Sequence, residues 1–376
     1  MTEIASAPFT SRRVDRFAEW LHAPAPREST HPRFDVRRAR PQEFDAIYDL
    51  VDETFGIKRS RAAYDWLYRR NPCGTARCLV AIDRASGQMV GNTSSWPWPM
   101  ARGTQPVEGD LEGDTVTAKG WQRLGIDALR GEVARSHAWI SHSVGMSWPN
   151  DIARAAGVKR GRSKRMLGPV PRSILLLNTK EFLTTRSWPG FAGAAAGMVA
   201  DAAFDLWRKM FVRAQPGVAI QEVRRFDSSF DEVMQRCMAW HGFWSPHDAE
   251  FMNWRYLDHP TMSYAAFSLT VGGELVGYSV LKIEASGAML MEFVAPSSPT
   301  HFAGALLLHL IKIARAAGCM CLRFSAAPNW HHRQLFRAAG FMPTRSSPVY
   351  LWPTGEAPGT GQLDLWQWVP GDMDDL

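Results

Sequence analysis

The chain has 376 residues, 45% hydrophobic and 21% charged, close to the averages for soluble globular proteins, which excludes a disordered chain and a coiled coil. At roughly 150 residues per domain, that length predicts two domains and their connecting segments. The formal charge of +6 is uneven: residues 1–190 hold 29 basic and 20 acidic side chains, the remainder 14 and 17, so the first half suits an anionic ligand.

An N-terminal extension, residues 1–32, carries charges where a signal peptide needs an apolar stretch, so export by that route is not expected. A strand follows at 34–39, then a helix from Pro41 whose Phe44, Ile47, Leu50 and Val51 recur at helical spacing. A second helix through Tyr64, Trp66 and Leu67 is predicted to stop at Asn71-Pro72, because proline disfavours helical geometry in the residue before it. Strands are expected at 78–83 and 88–100 around the turn Arg84 to Gly87, and at 108–118. A helix at 124–136, a strand at 138–145 and a short helix at 149–157 complete the first unit, residues 33–180.

Residues 188–207 are rich in Ala and Gly but are cut by Asp201 and Asp205. They fall short of the about 20 uninterrupted apolar residues that a membrane span needs. A connecting helix within 181–217 is the expectation. The second unit, 218–376, repeats the order: a strand at 220–226, a helix near 230–240, strands at 264–273, 274–285 and 288–295, a helix at 302–318, a strand at 319–326, and a final helix and strand.

Two short patterns recur in both units. Residues 66–72 read WLYRRNP and 254–260 read WRYLDHP; residues 149–158 read PNDIARAAGV and 328–341 read PNWHHRQLFRAAGF. Similar spacing in each half indicates a duplication. The predicted class is α+β, with two tandem domains, each a mixed, mostly antiparallel sheet flanked by helices.

This order, with Gln122-Arg123-Leu124-Gly125-Ile126-Asp127 between a strand and a helix and RQLFRAAGF later, resembles the GCN5-related N-acetyltransferase superfamily over residues 33–180 and 218–352. The resemblance implies an acyl-coenzyme A, acetyl or longer, with its pantetheine arm along the strand at Thr115, Val116 and Thr117. It also implies transfer of the acyl group to an amine of a small molecule or sugar. Independently of the family, backbone N–H groups at 123–128 open a helix whose first donors lack partners, a place for a pyrophosphate. Gln122, Arg123, Leu124, Gly125, Ile126, Asp127 and Ala128 are therefore the candidate cofactor loop. Asp127 departs from the pattern: turned into the loop it would repel phosphate, and turned away it would not. The second copy has PSSPTHFAG in that place, and Pro296 and Pro299 remove two donors; it is expected to be degenerate.

Amide formation from a thioester needs a base for the amine proton and donors for the developing oxyanion. Glu108, Asp110, Glu112 and Asp114 alternate along one strand and are expected on a common face; Glu112 or Asp114 is the candidate base, and a solvated acidic strand is the plain alternative. His142 is another candidate acceptor. Asn150 matches the family's pantetheine-binding asparagine by resemblance, and an N-cap role explains it equally well. Because no tyrosine lies between Tyr68 and Tyr256, the tyrosine acid common in the family is missing from the first unit's later helix. The basic cluster Arg154, Lys159, Arg160, Arg162, Lys164 and Arg165 could clamp a phosphate, meet an anionic polymer or membrane, or be a solvated loop; no nucleic-acid motif accompanies it.

The five cysteines form no CxxC pair and no zinc spacing, so neither a disulfide framework nor a metal is expected, and a reducing cytoplasm fits. Two rival readings remain at this stage: a Fem-like transferase drawing on aminoacyl-tRNA, and a non-catalytic binding or scaffold protein that kept the fold. A monomer or homodimer is expected.

Overall fold

The computed structural model describes residues 15–23, 31–136, 143–147, 165–184, 190–214, 216–238, 242–285, 287–344, 347–352, 366–367 and 369–372. His142, Asn150, the short 150–157 helix and the basic cluster before Arg165 lie outside the described residues.

After α1 (Phe17–His22) and β1 (Phe34–Arg38), α2 (Phe44–Phe55) buries Phe44, Ile47, Tyr48, Leu50 and Val51, the stripe its spacing predicts. Gly56 ends it in the left-handed region (φ 69°), a conformation glycine adopts without steric cost. Ser60 caps α3 (Arg61–Tyr68) by accepting the Ala63 N–H, satisfying one of the donors every helix start leaves open. Strands β2 (Arg77–Asp83), β3 (Met89–Arg102) and β4 (Gln105–Thr117) form the meander. Then come α4 (Ile126–Ser136), β5 (Ser143–Ser147), β6 (Arg165–Val170) and β7 (Arg172–Leu176).

Two helices, α5 (Thr179–Thr184) and α6 (Gly190–Phe211), lead into the second half. There β8 (Val218–Glu222), α7 (Ser228–Met238), β9 (Phe243–Trp244) and α8 (Ala249–Met252) precede β10 (Tyr264–Val271), β11 (Glu274–Glu284) and β12 (Gly287–Val294). The chain ends through α9 (Thr300–Ala316), β13 (Cys321–Ser325), α10 (Arg333–Ala338), β14 (Met342–Pro343) and β15 (Ser347–Trp352).

One sheet has the order β1-β2-β3-β4-β5-β15-β6, with β9 added on β3; the other has β8-β10-β11-β12-β13-β7-β14. Strand for strand the orders correspond, as a duplication requires. In the place next to β5 and β13, however, each sheet takes a strand from the other half: β15 lies antiparallel to both β5 and β6, and β7 lies antiparallel to β13 and β14. The sheets therefore do not divide the chain at 180 and 218. Residues 172–176 complete the second sheet, and residues 347–352 complete the first.

Each sheet is covered on both faces. In the first, Cys78 and Val80 of β2 face a core with α2 and α3, whereas Leu79 and Ala81 face Ile126 and Val133 of α4 and Trp20 of α1. This alternation is the period-two pattern of a strand buried on both sides. Trp96 and Trp98, which could have lined a groove, are buried in the core.

Candidate active site

The geometry around β4 is set by its two neighbours. From Glu108 to Glu112, β4 is paired in parallel with Ser143 to Ser147 of β5, and from Gly91 to Arg102 its other neighbour β3 runs antiparallel to it.

Just past Glu112 the strand carries a bulge. Ser94 faces Gly113 but Asn92 faces Val116, so β4 has one residue more than β3, and Asp114 takes up φ 44°. The extra residue breaks the alternation. Glu112 stays on the face of its partner Ser95, whereas Asp114 reaches the side of Ser94 and Tyr68; the expected common face of four carboxylates is thus interrupted. The Asp114 Oδ2 atom accepts from the Tyr68 hydroxyl (2.7 Å) and Arg59 Nη1 (2.9 Å). The Tyr68 hydroxyl also lies 2.8 Å from Ser94 Oγ, and Asn92 Nδ2 donates to both Ser94 Oγ (2.8 Å) and the Asp114 carbonyl (3.0 Å). Burial, reinforced by the Asp114 charge, holds the Tyr68 phenol well above its usual range. It is a donor, not a phenolate.

The other two carboxylates are no bare acidic strip either. Arg77 of β2, itself buried, binds Glu108 (3.2 Å) and Asp110 (3.1 Å). Burial raises the Glu108 pKa against the pull of Arg77. Glu112 is half-buried and lies opposite Ser95 of β3 and Ser147 of β5.

Beyond Thr117 the loop contains three positive φ values, at Gly120 (84°), Arg123 (66°) and Gly125 (82°). A Cβ on Gly125 would meet nothing within 4 Å, so it is the sign of φ that calls for glycine, and the space above it is open. Gln122, Arg123, Leu124 and Ala128 are exposed. Gln122 Nε2 lies 3.5 Å from the Thr117 carbonyl. Val116 and Ile126, by contrast, are core side chains and can offer a ligand only their backbone. Leu129 N–H donates to the Gly125 carbonyl (3.0 Å), opening α4 with its first-turn donors beside the loop.

Asp127 turns away from the loop, its carboxylate 3.6 Å from Arg130 Nη2. Arg130, 2% exposed, donates to the carbonyls of Asn92 and Val116 and to Thr117 Oγ1 (3.3 Å). It therefore bolts α4 to the ends of β3 and β4. Reading the sequence missed Arg59, Tyr68, Asn92, Ser94 and Arg130. The one available signal was the repeated tyrosine: Tyr256, the counterpart of Tyr68, donates to Glu292 of β12 (2.5 Å), and His247 Nδ1 shares that carboxylate oxygen (2.6 Å).

In the second half no positive φ occurs between β12 and α9, and Pro296 and Pro299 stand where donors would be needed. A cavity of about 280 Å³ beside this loop is lined by Arg236, Cys237, Val276, Pro296, Ser297 and Ser298. Burial pushes the Cys237 thiol up to about 11.

The same overall fold is found in solved structures over most of the chain. A probable N-acyltransferase from Enterococcus faecalis V583 superposes with a TM-score of 0.61 at 12% identity, covering 86% of this chain and 72% of that one. The chain has the GCN5-related N-acetyltransferase fold. A GCN5-related N-acetyltransferase from Anabaena variabilis matches with a TM-score of 0.58 at 10% identity, over 85% of this chain and 72% of its own. Saccharomyces cerevisiae N-myristoyltransferase with bound myristoyl-CoA matches with a TM-score of 0.53 at 9% identity, over 85% and 83%. No protein-family model matches the chain, and no curated protein sequence does.

Proposed function

We propose that the protein is an acyl-CoA-dependent N-acyltransferase, carrying an acetyl or longer acyl group to an amine of a small molecule or sugar. The observation that carries this reading is the loop after β4, exposed at Gln122 to Gly125 and with positive φ at Gly120, Arg123 and Gly125, which runs into the start of α4. A pyrophosphate suits that helix start, and the pantetheine arm would follow β4 at Thr115, Val116 and Thr117. The contact of Asp127 with Arg130 supports the fit, since it takes the carboxylate out of the loop.

The cofactor brings a thioester carbonyl open to attack. Glu112, next to the bulge, takes the proton from the incoming amine. Asp114, engaged by Arg59 and Tyr68, holds the bulge that sets the course of the β4 backbone. The amine nitrogen forms the new C–N bond as the C–S bond breaks, and solvent or a residue of the second half protonates the departing thiolate. The first half binds and the second is degenerate, as the prolines of its loop suggest.

Calorimetric titration with acetyl-coenzyme A tests this. The wild type is expected to bind. Gly125→Trp, folded by circular dichroism, is expected to lose affinity by at least about tenfold, because a side chain there must abandon φ 82° or fill the cradle. Absence of binding at millimolar cofactor overturns the reading, and equal binding by the variant overturns the site.

A further inference from the structure

Helix α6 is fastened on one side only. Its inner face packs closely: a Cβ on Gly197 would come within 2.3 Å of Lys180 Cα. Asp201 accepts the Thr179 N–H through both oxygens (2.9 and 3.2 Å), and Asp205 Oδ1 binds Arg208 and Arg315 (2.6 Å each). Arg208 and Trp207 donate to the carbonyls of Ala339 and Ala338 (3.1 and 2.9 Å).

The outer face is apolar and uncovered. Val199, Leu206 and Met210, spaced by seven and four, share one stripe and are 71%, 59% and 59% exposed. Trp207 and Phe211, 45% and 51% exposed, flank it with ring centroids 4.2 Å apart. Isolated exposed apolar residues need no explanation, but a continuous stripe on one helix marks an interaction surface.

Charge decides between occupants. The helix has only two carboxylates, Asp201 and Asp205, and both are engaged inward. Lys209 in the last turn of the helix and Arg213, two residues past its end, are exposed. A second copy packed face to face through this helix would bring only Asp201 and Asp205, which already hold Thr179, Arg208 and Arg315. Anionic lipid headgroups supply negative charge, and an apolar stripe beside cations is how a helix lies in a membrane interface. No helix among the described residues is long and apolar enough to cross a membrane.

We propose that the outer face of α6 docks on an anionic lipid bilayer, a property separate from acyl transfer. The full chain is mixed with sedimentable vesicles of phosphatidylcholine and phosphatidylglycerol in equal parts, and with vesicles of phosphatidylcholine alone. It is expected to sediment with the first about tenfold or more in preference to the second. Leu206→Glu with Met210→Glu, exposed changes that leave the fold intact by circular dichroism, should abolish binding to both. Lys209→Gln with Arg213→Gln should remove only the anionic preference. A wild type that stays in the supernatant with both vesicles overturns the proposal. A wild-type dimer that the glutamate variant converts to monomer, without vesicle binding, overturns it in favour of a second copy as occupant.

Discussion

Trp66 and Trp254, the first residues of the two repeated signatures, stack on each other at 4.3 Å and 14°, and each donates its indole N–H to the other's backbone carbonyl (2.9 and 3.2 Å). The duplicated motif is thus a reciprocal contact between the halves, about a local two-fold axis. Both rings are buried. Replacing either tryptophan with Phe leaves the partner's carbonyl without its donor, a loss of about 1–3 kcal/mol. Trp66→Phe and Trp254→Phe should cost similar amounts in urea unfolding, and the double variant less than their sum, because the two share one contact. Strict additivity would mean that the pair is not a unit.

The Asp127 carboxylate sits in the first turn of the helix proposed to hold a pyrophosphate, tied to Arg130. Because the carboxylate is turned away from the loop, Asp127→Asn is expected to leave coenzyme A binding within about twofold of the wild type. Arg130→Met would strip the donors from the carbonyls of Asn92 and Val116 and destabilise the protein by about 1–3 kcal/mol or more. Calorimetry and chemical denaturation separate the two effects; a weaker-binding Asp127→Asn would contradict the geometry.

Glu112 and Asp114, two residues apart, are assigned different duties by the bulge. Glu112→Gln should lower kcat by about 10² to 10⁴ and leave the KM for the acyl donor nearly unchanged. Asp114→Asn should chiefly destabilise, since Arg59 and Tyr68 lose a charged acceptor. If Asp114→Asn instead kept full stability and abolished turnover, the two roles would be reversed.

His259 occupies the second signature where the first has Asn71. Both side chains accept the N–H two residues on, Asn71 from Cys73 (2.9 Å) and His259 Nδ1 from Thr261 (3.2 Å), with Met262 also donating to His259 (3.1 Å). An accepting Nδ1 must be unprotonated. Burial, with the Arg255 and Lys282 charges, holds its pKa down at about 4. The unfolded chain binds this proton below about 6.5 and the folded one only near 4. Stability contributed by His259 is therefore full above pH 6.5 and falls, by up to about 1.4 kcal/mol per pH unit, as pH drops toward 4. His259→Asn, which restores the first signature's chemistry, should flatten the acid limb of a stability–pH curve; an unchanged slope would show that His259 titrates normally.

The meander and its helices were legible because each is a local pattern: the α2 stripe, the stop before Asn71-Pro72 and the alternation of β2 all appear within a residue or two of where they were expected. The repeat was legible too, though not that Trp66 would meet Trp254. The bulge at Asp114 was not, since nothing in EGDLEGDTVTA marks which residue lacks a partner; register depends on β3, which the strand's own sequence does not contain. The positive φ of Gly125 was likewise not marked by its place in the loop sequence.

The strand exchange was the least legible feature. Arg172 to Leu176 was not among the expected strands, and only pairing far along the chain decides which sheet receives it or Ser347 to Trp352. The exchange predicts that neither half is a folding unit. Residues 1–180 lack β15, which separates β5 from β6 and hydrogen-bonds both, while residues 181–376 lack β7, which does the same for β13 and β14. Either fragment would present open strand edges, a template for aggregation. Expressed alone, each should be insoluble or lack a cooperative unfolding transition; co-expressed, they should copurify and unfold together. A soluble 1–180 fragment with its own sharp transition would show that β15 only decorates the first sheet.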